Sequence, residues 1–231
     1  MAARAGQIID RPDLRNQVYI FTSREHAGEV LAEMLEEYRG SDALVLGIPA
    51  GGVPVGAVIA RTLGLPLDIA VVSKITPPNN TEYGYGAVAW DGTVLINQEA
   101  LPYLNLSERD LEEGLQRAKA KVDRRVLSLR GARAFPEIAG RTVILADDGI
   151  ATGVTTEAAV DALDRLGAGK LILASPTGHA ESVTRLARKA DAIYCANIRE
   201  GGSFAVAQAY RTWSDMTDQE IAEILQEFLP G

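Results

Sequence analysis

Short apolar runs alternating with stretches of helical period leave this chain few folds to choose from. The runs Ala43–Ile48, Leu67–Ser73, Arg141–Ala146, Leu171–Ala174 and Ala192–Ala196 read as buried strands, apolar almost throughout because both faces of such a sheet are covered. Between them, Val53–Leu63, Val154–Leu166 and Ala180–Lys189 have the length and period of crossover helices. Pro54 sits in the first turn of one, where a missing N–H costs nothing, and Gly167 closes another. The alternation predicts an α/β fold: an open, mostly parallel twisted sheet with helices on both faces. At 231 residues there is room for one such core and a small appendage. We therefore expect a single domain over residues 1–231, its core at about 22–196, with a small hood subdomain built from 197–231 and parts of 97–135.

The remaining elements are read locally. Thr22 and Glu25 have capping-box spacing ahead of a helix from Ser23 to Tyr38. Asp91-Gly92 between Ala87–Trp90 and Thr93–Ile96 signals a hairpin. Ser107, with Asp110 at the third position, caps a charged surface helix running to Leu129, and Thr217 with Glu220 caps the last one. The stretch Ile75–Tyr85, ITPPNNTEYGY, has two prolines, two asparagines and no periodic apolar face, and predicts an exposed, mobile loop.

Several functions are disfavoured at once. No apolar run approaches the roughly 20 residues that span a bilayer, and Met1–Asp10 lacks the apolar stretch of a secretory signal, so no membrane partner and a cytoplasmic location are expected. Cys195 is the sole cysteine and His26 and His179 the sole histidines, which leaves no disulfide and no zinc set. With 31 acidic against 23 basic residues the overall field repels nucleic acid, so any anion must be bound locally.

Val143–Thr156 reads VILADDGIATGVTT: a buried strand, two carboxylates at its C-terminal end, then a Thr/Gly turn opening a helix. In open α/β sheets ligands bind at that edge. Successive amides from Ala151 through Thr152, Gly153, Val154 and Thr155, with the helix dipole behind them, form an anion cradle, to which the hydroxyls of Thr152, Thr155 and Thr156 add donors. Asp147 and Asp148 would repel a phosphate, but they suit a sugar diol or a divalent cation. A ribose 5-phosphate satisfies both halves. The plainer alternative is a polar strand exit followed by an ordinary helix cap.

This stretch resembles the PRPP-binding signature of type I phosphoribosyltransferases. GIPAGGVPVGAVIARTLGLPLDIAVVSKI resembles the family's first strand, pyrophosphate loop, helix and second strand. NNTEYGYGAVAWDGTV and SFAVAQAYRTWSDMTDQE are similar to a stand-alone branch and carry the resemblance from Thr22 to Asp218. It implies a Rossmann-like core, a homodimer, and PRPP or a nucleoside monophosphate as ligand. Mg²⁺ would be held by PRPP oxygens and water, with Asp147 and Asp148 as indirect ligands. It further implies that these carboxylates hold the ribose hydroxyls, that Ala151–Thr156 hold the 5-phosphate, and that Ala50, Gly51 and Gly52 offer amides to pyrophosphate in a loop that often carries a non-proline cis peptide. Lys74 would contact the departing pyrophosphate, and Ile75–Tyr85 would close over the reaction.

Two departures bear on activity. Ala151 stands where relatives acting on 6-oxopurines carry an acid, and Ala50 where close relatives carry a basic residue. Glu82 is a candidate general base, or a solvated loop glutamate. Phe204 and Tyr210 are candidates to stack on the acceptor, or core residues at helical spacing. His179 reads as a helix cap, His26 as exposed, Arg124, Arg125, Arg130 and Arg133 as a solvated face, and Cys195 as a buried small hydrophobe. The leading expectation is an Mg²⁺-dependent transferase joining PRPP to a nitrogenous acceptor. The alternative is a non-catalytic PRPP or nucleotide-binding regulator on the same fold.

Overall fold

A computed structural model describes residues 4, 6–78, 80 and 84–228. Strict alternation of side chains organises it. Strands β1 (Gln7–Ile9), β2 (Leu44–Gly47), β3 (Leu67–Ile69), β7 (Val143–Ala146), β8 (Leu171–His179) and β9 (Ala192–Arg199) form one sheet in the order β1-β9-β8-β7-β2-β3. Every neighbouring pair in it is parallel. Val45, Ile144, Ile172 and Tyr194 face one core, while Leu46, Leu145, Leu173 and Ile193 face the other. Helices α1 (Arg24–Met34) and α2 (Gly52–Leu63) cover the first face, and α4 (Val154–Arg165) with α5 (Ala180–Ala187) the second.

The expected strand Leu67–Ser73 is two strands. The chain leaves the parallel sheet after Ile69 and re-forms as β4 (Val72–Ile75), which pairs antiparallel with β5 (Gly86–Ala89), itself paired with β6 (Val94–Ile96). Ala70 and Val71 are buried at the crossing, so the apolar run gives no sign of the break. This small sheet packs between α4 and the long helix α3 (Glu108–Arg130), whose N-terminus is the expected Ser107–Asp110 capping box. The expected hairpin at Asp91-Gly92 forms, with Gly92 at φ 86°. The last helix, α6 (Asp218–Gln226), is capped by Thr217 and Glu220 as expected and rests against α2 and α3. Among the described residues no helix is long and apolar enough to cross a membrane.

Other boundaries differ for physical reasons. Ser23, not Thr22, caps α1, accepting from the His26 amide, and the Thr22 amide donates to His26 Nδ1 at 3.2 Å. His26 is thereby half-buried against Phe21 instead of exposed. β8 runs to His179 because Ser175 and Thr177 are fully buried despite being polar. His179 occupies the cap position of α5, but its ring lies against the Gly201 carbonyl and makes no cap. The arginines at the end of α3 are not a uniform solvated face. Arg130 is 5% exposed, donates to Asp68 Oδ1 at 3.0 Å and to the Ile69 carbonyl at 2.6 Å, and so braces the point where the chain leaves the main sheet. Arg125 pairs with Asp218 and donates to the Pro49 carbonyl. Cys195 is a buried thiol, as expected, held neutral because burial raises its pKa.

The Arg130–Asp68 pair sets a stability test. Removing one partner strands a buried charge, at a cost of about 3–5 kcal/mol. Arg130→Ala should therefore lower the urea midpoint strongly with little change in m. A midpoint within error of the wild type would show that the pair contributes nothing to the fold.

Candidate active site

Leu44–Gly47 and Val143–Ala146 are in-register neighbours, yet the chain leaves them in opposite directions. After β2 it passes through α2 to β3, and after β7 through α4 to β8. The two exit loops diverge and leave a crevice at the carboxyl edge, the usual ligand position in such sheets. One side of the crevice is Pro49–Gly52 and the other is Asp147–Gly153. The Ile48 amide donates to the Ala146 carbonyl at 2.9 Å and ties the two together. A Cβ at Gly52 would collide with that same carbonyl, and one at Gly51 would overlap the Asp148 carboxylate.

The Pro49–Gly52 loop carries a cis peptide between Pro49 and Ala50, ahead of alanine and not of a glycine. Among the described residues the amides of Ala50 and Gly51 meet no acceptor. That of Gly52 donates to the Ile48 carbonyl at 3.0 Å, so Gly52 offers close approach and not a free donor. Across the crevice Gly153 precedes α4 at φ 72°, and the amides of Ala151, Thr152 and Gly153 likewise have no acceptor among the described residues. Val154, Thr155 and Thr156 form the first helical turn, whose N–H groups have no intrahelical partner. The carbonyls of this turn are held from behind: Ser182 Oγ donates to Ala151 at 2.6 Å and Arg185 to Thr152. The expected Thr156 hydroxyl donor is not available to an anion. It is buried and points at Asp147 Oδ2, 3.4 Å away.

Asp147 and Asp148 open the second loop, and the Asp148 carboxylate reaches across to Gly51. Asp147 Oδ1 accepts from the Asp148 amide at 2.9 Å. Burial pushes its carboxyl well above the usual aspartate range, and the Asp148 charge pushes the same way, against weaker pulls from that amide, Lys74 and Thr156. Burial raises Asp148 as well, opposed mainly by Arg24. Lys74 is thus brought electrostatically to the acid pair, on β4 and exposed, its stem over Gly84. Arg24 Nε donates to Asp148 Oδ2 at 2.9 Å, Arg24 Nη1 to the Ser214 carbonyl at 2.9 Å, and the guanidinium lies 4.0 Å from the Trp213 ring centroid. Nothing local in the sequence marks Arg24, because its carboxylate partner is 124 positions away.

The two aromatic candidates part company. Tyr210 is 1% exposed, packed on Phe21, and donates its hydroxyl to the Asp148 carbonyl at 2.6 Å, so it has no face to stack on a ligand. Phe204 is half-buried on the wall of a cleft of about 660 Å³ that also meets Ala151, Thr152, Asn97 and His179. Of the expected closing segment, Ile75 belongs to β4 and Tyr85 is buried, its amide donating to the Ile75 carbonyl at 2.9 Å. Residues 79 and 81–83, and with them Glu82, lie outside the described residues. No group of three or more His, Cys, Asp or Glu side chains is placed to hold a metal among the described residues. The two carboxylates fit a divalent ion that brings most of its ligands as substrate oxygens and water.

The phosphoribosyl transferase domain model matches residues 20–208, and the chain belongs to that family. Two curated Mycobacterium tuberculosis proteins, from strains CDC 1551 and H37Rv and provisionally named phosphoribosyl transferases, are each 34% identical to it over 206 residues, covering 89% of this chain and 46% of theirs. The chain thus spans about half the length of these relatives. The crystal structure of TT1426 from Thermus thermophilus is similar at 34% identity, with a TM-score of 0.72 over 91% of this chain and 99% of that one.

The acid pair sets the second test. A carboxyl that protonates more readily folded than unfolded weighs against folding as pH rises above its ordinary value of 3.8. Asp147→Asn should therefore stabilise the ligand-free protein at pH 7 by about 0.5–2 kcal/mol, a few degrees in Tm, with the gain shrinking toward pH 4. Thermal melts at both pH values check this, and a lower Tm for the variant at pH 7 would contradict it.

Proposed function

We propose that the crevice binds PRPP with Mg²⁺ and transfers its phosphoribosyl group to a nitrogenous acceptor, releasing pyrophosphate. One observation carries the reading: two loops whose amides are unpaired among the described residues face each other across two part-buried carboxylates. A phosphate in the Ala151–Thr155 cradle would meet backbone donors and the dipole of α4. The ribose hydroxyls would donate to Asp147 and Asp148. The diphosphate would lie on the Ala50 and Gly51 amides, and the acceptor would enter the 660 Å³ cleft beside Phe204.

In the reaction the bond from the anomeric carbon to the diphosphate oxygen breaks and a bond to the acceptor nitrogen forms, with the acceptor's proton passing to water or a base. Positive charge grows on the ribose ring while negative charge leaves with the diphosphate. Asp147 and Asp148 lie on the side where positive charge develops. In this reading the Gly51 amide and Lys74 would face the negative charge that collects on the diphosphate, and donors at such points lower the barrier. Mg²⁺, held through PRPP oxygens and water beside the acid pair, would neutralise part of that leaving charge.

Calorimetry should give a PRPP binding isotherm that strengthens with Mg²⁺, and a nucleobase screen should find pyrophosphate release. No heat with PRPP, ribose 5-phosphate or any nucleoside monophosphate would end the reading, and binding without release for any acceptor would favour the regulator. Because Lys74 would face charge that grows as the bond breaks, Lys74→Ala should lower kcat on the order of 10²-fold with a smaller change in PRPP Kd. Equal losses in both would assign Lys74 to ground-state binding.

A further inference from the structure

The Pro49–Gly52 loop faces a charge demand that its own residues do not meet. A diphosphate there would bring several negative charges to a loop reading Pro-Ala-Gly-Gly, with two amides that meet no acceptor among the described residues and no cation of its own. Arg125, behind the loop, is committed to Asp218 and the Pro49 carbonyl. Lys74, assigned above to the leaving diphosphate, is a single exposed charge that reaches the site from β4 and is not part of the loop. The cation that overlies the loop is Arg24. A Cβ built on Gly51 would overlap the Asp148 carboxylate and lie 2.9 Å from Arg24 Nε, so the Arg24–Asp148 pair rests directly above the loop's backbone.

This guanidinium is fixed and incompletely used. Its side chain is 10% exposed, its Cζ lies 4.0 Å from the Trp213 ring centroid, and it commits one donor to Asp148 and one to the Ser214 carbonyl. Arginine carries five donors, and Nη2 has no partner among the described residues. Such a buried, stacked fork suits phosphate oxygens better than a free lysine does.

We propose that Arg24 is a pyrophosphate-binding residue that supplies the charge the loop lacks. In the free protein it serves as counter-ion to Asp148. With ligand bound it donates to the diphosphate, and Asp148 turns to accept from the ribose hydroxyls. The ion pair therefore holds both groups of the site in readiness, and Trp213 and Ser214 make the C-terminal segment part of the pyrophosphate site. This inference rests on the PRPP reading above.

The test separates the two halves of the ligand. Inorganic pyrophosphate and ribose 5-phosphate, each with Mg²⁺, are titrated calorimetrically into the wild type, Arg24→Gln and Arg24→Lys. Arg24→Gln should weaken pyrophosphate about 10- to 100-fold and leave ribose 5-phosphate within about twofold, and Arg24→Lys should recover part of the loss. Ribose 5-phosphate binding also reports that the variant site is formed. If Arg24→Gln does not fold, Trp213→Leu, which removes the platform from a partly exposed position, should weaken pyrophosphate several-fold and spare ribose 5-phosphate. Unchanged pyrophosphate affinity overturns the inference. Equal weakening of both ligands also overturns it, leaving Arg24 as a residue that only positions Asp148. A wild type that binds neither ligand overturns the PRPP reading itself, and the inference with it.

Discussion

The in-register pairing of Leu44–Gly47 with Val143–Ala146 is the constraint from which the site follows. These central strands are buried on both faces, so their register is fixed by two cores at once, and a one-residue slip would exchange every side chain between them. Because α2 and α4 then leave toward opposite faces, the residues just past Gly47 and Ala146 are held at the same height and pulled apart. Two loops, each able to present backbone donors, face one another without further design. The close approach at Gly52 and the space at Gly51 are what the fold asks of the sequence here, since any side chain would strike Ala146 or Asp148.

Electrostatics then give this crevice its chemistry. Two adjacent carboxylates withdrawn from water are unfavourable while empty, which is why burial raises both. The structure offsets this with Arg24, the Asp148 amide and the Thr156 hydroxyl, and these leave Asp147 the less compensated of the two. Donors arriving on a ligand would relieve what the fold leaves unsatisfied. The same reasoning explains how a carboxylate that favours binding can weigh against stability, a common trade at functional sites.

Much of this was legible in the sequence, and the failures share a cause. The crossover helices, the Asp91-Gly92 hairpin, the Ser107 and Thr217 caps and the run from Val143 to Thr156 all carry local signals within a few residues. What escaped depends on partners far along the chain. The run Ile69–Val72 is apolar and buried throughout, and only the braces from Arg130, 62 positions from Asp68, show where the chain changes sheets. Ser175 and Thr177 look like a strand end, yet the β9 register carries them inside. Arg24, Arg125 and Arg130 are indistinguishable from solvated helix charges until their acids are located. Tyr210 and Phe204 are similar as letters and differ only in which neighbours close over them.

The net charge of −8 does not conflict with the proposed anion site. A long-range field of that sign disfavours extended polyanions, whose charges lie too far apart for one crevice to compensate. A compact ligand in the proposed site would sample a different environment, with the Thr152, Gly153 and Gly51 amides and the Arg24 guanidinium close to it. Contacts made there are desolvated and poorly screened, whereas the repulsion from surface acids is exposed to salt. On the proposed reading, the acidic surface and the donors of the crevice act in the same direction: they would admit a small, concentrated anion and turn away a long one.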